Sequence, residues 1–282
     1  WGWTSLPIMG LFLLSIISLI TFIGWEKKIP HPLVELTLFK NLTFTTLFSV
    51  LLIIQAVAIV FVFLAIFLQN VLHYSPLMAG LLLLPAMVPI MLMAPVGGHL
   101  RDKYGPTLPM FCGALLVVLS LIWIAIFSHN RGYAWLFPGL LVYGIGMPLI
   151  LSGIMATVMN MVNAQQRGMA SAIFNCARQF GNTIGLALLT GLLASVNKWQ
   201  LNSFLHHSPV PLSRLKEQQI DGLLVQSDQA MKAIAHLSLA HIELLKTAAL
   251  NAYTNAFSMT LLAAAILAFL SLFLILKIPR KQ

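Results

Sequence analysis

One ionisable side chain, Arg178, stands inside an otherwise uncharged stretch long enough to cross a bilayer, and Ser171, Asn175, Asn182 and Gly185 surround it at spacings of three and four. Such spacings put all five residues on one face of a helix. A guanidinium among amides and a hydroxyl donates and accepts hydrogen bonds but supplies no nucleophile and, because arginine keeps its proton in proteins, no proton relay. The chemistry it offers is therefore binding. Counted from Met169 at about 1.5 Å per residue, Arg178 lies roughly 13 Å deep in a hydrocarbon core of about 30 Å. An ionised group there costs at least about 2.5 to 3.5 kcal/mol unless water or a partner receives it. Two roles meet that demand: lining a polar cavity, or pinning a neighbouring helix through its carbonyl groups.

A second polar side chain, Gln55, sits midway along another apolar stretch, where a glutamine serves either a ligand or an interhelical hydrogen bond. Two further apolar stretches carry helix breakers: Pro85, Pro89 and Pro95 in one, and Gly144, Gly146 and Pro148 in the other. Each interior proline removes a backbone hydrogen bond, so kinks or hinges are expected there. All seven acids, Glu26, Glu35, Asp102, Glu217, Asp221, Asp228 and Glu243, fall in connections, which leaves no carboxylate in the membrane to carry a proton. The eight histidines also lie in connections or at helix ends, without carboxylate or cysteine partners at metal-ligand spacing. Neither an enzyme nor a cofactor or metal site is expected.

The elements that hold these residues follow from where charge is missing. The 282-residue chain is 59% hydrophobic and 8% charged, against about 25% charged in soluble domains. Residues 1–25, 41–100, 104–130, 132–166 and 247–276 contain no Asp, Glu, Lys or Arg. Since about 20 apolar residues span a bilayer, these runs divide into seven helices near Leu6 to Trp25, Phe44 to Leu68, Leu77 to Gly97, Leu108 to Phe127, Tyr133 to Val158, Met169 to Val196 and Ala256 to Leu276. The segment from Gln69 to Pro76 supplies the hairpin inside the long uncharged run. The helices at Leu108 to Phe127 and Ala256 to Leu276 are nearly free of polar groups and are expected to face lipid. Asn163 and Gln166 form a capping box that opens the helix carrying Arg178.

The formal charge of +9 would suggest nucleic acid in a soluble protein. Here it follows topology. Lys27, Lys28, Lys40, Arg101, Lys103, Arg167, Lys277, Arg280 and Lys281 fall on one side, and only Arg131 falls in the short loops opposite. The positive-inside rule makes the first side cytoplasmic, with the N-terminus out and the C-terminus in. The outer connection 197–250 is long, and its Ala230, Ile234, Leu237, His241, Leu244 and Ala248 stripe predicts an amphipathic helix leading into the last span.

The cytoplasmic hairpin from Gly98 to Pro106 places Asp102 where it can cap a helix N-terminus. It resembles the signature G-x-L-x-D-[RK]-x-G-[RK]-[RK] of the major facilitator superfamily, matched by Gly98, Leu100, Asp102, Lys103 and Gly105, with Pro106 and Thr107 where basic residues are usual. The opening Trp1 to Ser5, the linker from Glu26 through Pro32-Leu33 to Asn41, and Ala170 to Gly181 are similar to fourteen-helix drug:proton antiporters of the EmrB/QacA type. That resemblance implies an all-α membrane protein: the C-terminal half of an efflux transporter, with residues 1–25 an accessory helix, 26–43 a cytoplasmic linker and 44–282 a six-helix bundle. It further implies that the helices bearing Gln55, Tyr143, Asn175, Arg178 and Asn182 line the substrate path, and that Asp102 belongs to a gating loop. Implied partners are the missing N-terminal half, small amphipathic substrates, membrane lipids and a periplasmic adaptor, in a bacterial inner membrane and without nucleic acid. The competing architecture is a self-contained seven-helix receptor, against which stand the missing Asp/Glu-Arg-Tyr and Asn-Pro-x-x-Tyr patterns.

Overall fold

A computed structural model describes residues 5–29, 35–130, 132–207 and 239–278. These residues form nine α-helices and no strand: α1 Leu6–Glu26, α2 Leu42–Ala58, α3 Val60–Asn70, α4 Pro76–Leu82, α5 Leu84–Tyr104, α6 Thr107–Phe127, α7 Tyr133–Met161, α8 Arg167–His207 and α9 Leu239–Leu276. Two pairs are single spans broken by one residue, α2 and α3 at Ile59 and α4 and α5 at Leu83, so seven helical rods are long and apolar enough to cross a membrane. The opening Trp1 to Thr4, Pro32-Leu33, Arg131, and Arg280 with Lys281 lie outside the described residues.

Local chemistry sets the ends. Asn41 Oδ1 accepts from the backbone N–H of Thr43 at 3.0 Å and of Phe44 at 3.4 Å, starting α2, and Ser75 Oγ accepts from Met78 N at 3.3 Å with Pro76 behind it, starting α4. His73, at φ 57°, turns the hairpin between α3 and α4. Gly105, at φ 78°, stops α5 in a conformation that a side chain resists. The second hairpin is thereby much shorter than expected. Helix α5 continues past Gly98 to Tyr104, so Gly98, Leu100, Asp102 and Lys103 belong to its last turns and only Gly105 and Pro106 connect it to α6. Asp102 accordingly closes a helix rather than opening one, where Arg101 and Lys103 complement the negative end of the dipole.

Helix α7 is central, packed on α5 and α6, while α9 covers α6, α8 and α2, and α2 lies along α8. Backbones meet at glycines. A Cβ on Gly113 would stand 2.5 Å from the Gly146 carbonyl oxygen, one on Gly146 2.7 Å from that of Gly113, and one on Gly144 would overlap the carbonyl of Ala86. Gly144 and Gly146 are thus contact points for α5 and α6, and α7 runs as one helix through them and Pro148. Pro85 stands just after the break at Leu83, whereas Pro89 and Pro95 lie within α5. Helix α1 exposes an apolar surface along its length, including Phe12, Leu13, Ile16 and Ile20, and buries only Glu26 at its end.

The described part of the connection before the last span, from Leu239, is a direct extension of α9, and its packed face differs from the expected stripe. Leu245 and Ala249 are buried and Leu244 is exposed, because the helix turns Leu245, Ala249 and Ala252 toward the bundle. The earlier stripe positions Ala230, Ile234 and Leu237 lie outside the described residues. Where α8 emerges, Asn255 Nδ2 donates to Gln200 Oε1 at 3.0 Å, and Asn255 Oδ1 lies 2.7 Å from His129 Nε2. These bonds join α6, α8 and α9 at the end of the bundle where the connection 197–250 lies.

Candidate functional site

The bundle leaves its surface unevenly covered. In the most apolar windows of the spans containing α4–α5 and α8, 11% and 17% of residues are buried, against 44% to 56% for the other spans of the bundle. The open faces differ in kind. Helices α6 and α9 expose Leu115, Leu119 and Ile126, and Ile266, Phe269 and Phe273, all suited to lipid. Helix α8 instead exposes Ser171, Asn175, Arg178, Gln179 and Thr183, with Asn182 half-buried at the edge.

This arc lies beside the packed face of α8, not on it. Ala170, Ile173, Phe174, Ala177, Gly181 and Gly185 turn inward, and a Cβ on Gly181 would stand 2.5 Å from the Leu52 carbonyl oxygen while one on Gly185 would stand 2.5 Å from Ala56 Cα. The two glycines are where α8 presses on α2, as small residues allow in membranes. Gly185 therefore leaves the face expected to hold it with Arg178. Two members of the arc, Gln179 and Thr183, were missed in the sequence although they continue the spacing of four from Asn175; Thr183 Oγ1 donates to Gln179 O at 2.9 Å. A surface cavity of about 440 Å³ runs past Asn175, Cys176, Gln179, Phe180 and Thr183. No hydrogen bond or ion pair joins Arg178 to another described residue.

The remaining candidates are nearby or elsewhere. Gln55 is buried in the seam of α2 and α8, where the absent Cβ of Gly181 would lie 2.9 Å from its own Cβ. Tyr143 is fully buried in α7 with its ring edge-on to Phe61 at 4.6 Å between centroids, and its hydroxyl has no hydrogen-bond partner among the described residues. Asn175, Arg178 and Asn182 are thus brought together on one helix; Gln55 adjoins them from below, and Tyr143 is separate. At the opposite end of the bundle, Arg101 Nε and Nη2 donate to Asp102 Oδ1 at 2.9 and 2.6 Å beside a cavity of about 530 Å³ that Asn41, Thr43, Asn160 and Ile278 also line. Among the described residues no group of His, Cys, Asp or Glu is placed to hold a metal. The arrangement offers hydrogen bonds and charge, not covalent chemistry.

A family model described as the Major Facilitator Superfamily matches residues 1–186. The chain belongs to the major facilitator superfamily. As a member of that superfamily it is a multi-pass integral membrane protein with a transporter fold, which is neither the seven-helix receptor architecture nor that of an enzyme. It is 31% identical over 215 residues to the multidrug resistance protein Stp of Mycobacterium tuberculosis, covering 76% of this chain and 40% of Stp. To the tetracenomycin C resistance and export protein of Streptomyces glaucescens it is 27% identical over 197 residues, 69% of this chain and 36% of that one. To the multidrug transporter protein MdtP of Bacillus subtilis it is 24% identical over 290 aligned residues, 97% of this chain and 53% of MdtP. This major facilitator chain therefore spans between about a third and half of the length of these relatives. In fold it is similar to a bacterial homolog of the human lysosomal transporter Spinster, with a TM-score of 0.61 and 16% identity over 84% of this chain and 49% of that one.

Proposed function

We propose that this chain is the C-terminal half of a fourteen-helix, proton-coupled exporter of amphipathic compounds in a bacterial cytoplasmic membrane. Residues 1–25 form its accessory helix, 26–43 a cytoplasmic linker, and 44–282 the transporting bundle with an outer loop at 197–250. The single observation that carries this is the uncovered arc of Ser171, Asn175, Arg178, Gln179 and Thr183 on α8. A guanidinium and amides at mid-bilayer depth cannot face lipid at reasonable cost, and the helices of their own bundle turn away from them. A second bundle across an aqueous cavity satisfies both facts. The names of the export and multidrug proteins to which the chain is similar support the same direction.

In this reading Asn175, Arg178 and Asn182 contact substrate, Gln55 and Tyr143, both buried here, join the path when the helices covering them move, and the bundles rock about a fixed central site. The segment with Gly98, Leu100, Asp102, Lys103 and Gly105 gates the inner end, and α5 and α7 yield during rocking at Pro85, Pro89, Gly144, Gly146 and Pro148. The coupling carboxylate is supplied by the N-terminal half, because the acids described within helices of this chain, Glu26, Asp102 and Glu243, stand at helix ends and none lies mid-span. A periplasmic adaptor is a further partner on the outer side.

Orientation is tested directly. A phosphatase reporter fused after residue 282 is expected to stay inactive and a cytoplasmic fluorescent reporter there to be bright; the reverse pattern would invert the assignment and place the Asp102 segment outside. The functional test is dye efflux from cells expressing the complete protein and its Arg178 variants.

A further inference from the structure

The linker that follows α1 does not hang free before α2. Its residues Glu35 to Asn41 include a 3-10 turn, Leu36–Lys40, and grip two helices at the inner end. On the α2 side, Thr45 Oγ1 donates to Phe39 O at 2.7 Å, and the Phe39 ring meets Phe44 and Phe48 edge-on at 5.4 and 5.2 Å. Those two rings in turn meet Phe174 of α8 at 5.3 and 6.1 Å. On the α8 side, Glu35 Oε2 accepts from Gln166 Nε2 at 2.5 Å, and Glu35 N lies 3.2 Å from Met169 Sδ, to which it donates. Thr37 Oγ1 donates to the other carboxylate oxygen at 3.0 Å, so the Glu35 side chain is held from both sides.

Helix α8 has no acidic residue in its own first turn. A negative charge at that end is favourable because unpaired N–H groups and the helix dipole make it positive. Glu35 delivers the charge from a distant part of the chain. Gln166 is the hinge point of the arrangement: its Oε1 accepts from Asn163 N at 3.3 Å within the capping box while its Nε2 reaches Glu35.

We infer that Glu35 is a positioning residue for α8: through Gln166 it straps the segment Glu35 to Asn41, and with it the start of α2, to the base of the helix that carries Arg178 and sets the attitude of its polar arc. The contacts stand by themselves; the consequence for transport rests on the function proposed above. Gln166→Glu isolates the strap, because a glutamate there still serves the capping box but loses the donor and places two carboxylates together. Glu35→Gln keeps an acceptor for Gln166, and the double variant Glu35→Gln with Gln166→Glu restores one hydrogen bond with its direction reversed.

The test uses the full-length protein in lipid vesicles, with Cys112 and Cys176 replaced by serine and spin labels on Lys40→Cys and Gly168→Cys, both exposed positions. Pulsed dipolar distances should be narrow in the parent and in Glu35→Gln, at least twofold broader in Gln166→Glu, and narrow again in the double variant. A distribution that Gln166→Glu leaves unchanged, that the second substitution does not rescue, or that is broad in the parent would overturn the strap. Because this readout needs no transport, it separates failure of the strap from failure of the exporter assignment.

Discussion

Replacing Arg178 with alanine in the complete transporter should lower dye efflux about tenfold or more while the protein inserts and accumulates normally. The loss corresponds to at least one hydrogen bond to a charged group, about 1.5 to 3 kcal/mol. Normal accumulation is expected because no hydrogen bond or ion pair ties Arg178 to another described residue, so the substitution removes no contact from the bundle core. It also removes the desolvation burden of a mid-bilayer charge. Arg178→Lys should be intermediate, retaining the charge and losing the planar fork that can bind two acceptors at once. Efflux and protein level in membranes, compared for all three forms, decide the matter. Full efflux by the alanine variant at equal abundance would take Arg178 out of the substrate path, whereas loss of the protein itself would make it a structural pin.

The opposite phenotype is expected at Gly185. A leucine there would drive its side chain into the backbone of α2, since even a Cβ would stand 2.5 Å from Ala56 Cα. Backbone cannot rotate aside as a side chain can, and overpacking ordinarily costs about 1 to 3 kcal/mol or more. Gly185→Leu should therefore yield little monodisperse protein in mild detergent, and Gly185→Ala should melt several degrees below the parent. Gly191 is the internal control: it lies on the same helix with nothing near its missing Cβ. There alanine should be neutral or slightly stabilising, because it forms helix better than glycine by about 1 kcal/mol. If Gly185→Leu melted with the parent, the close crossing of α2 and α8 would not exist in the protein.

Features governed by one segment and its solvent were legible in the residue string. Charged groups are excluded from hydrocarbon, so uncharged runs marked seven spans; turn chemistry placed a hairpin within Gln69 to Pro76, where the helices leave residues 71–75 between them, and the bond from Asn163 N to Gln166 Oε1 is local. Which way the faces of a helix point was not legible. In water the apolar side of a helix is its buried side, but a membrane offers apolar surroundings both inside and outside the protein. Hydrophobicity therefore could not reveal that Gly185 presses on α2 while Arg178 looks outward, or that Leu245 rather than Leu244 turns inward on α9. Nor could spacing pair Glu35 with Gln166, or His129 with Asn255, each more than 100 positions apart. Helical periodicity fixes angles within one rod, and only packing of the rods against one another decides what each angle meets.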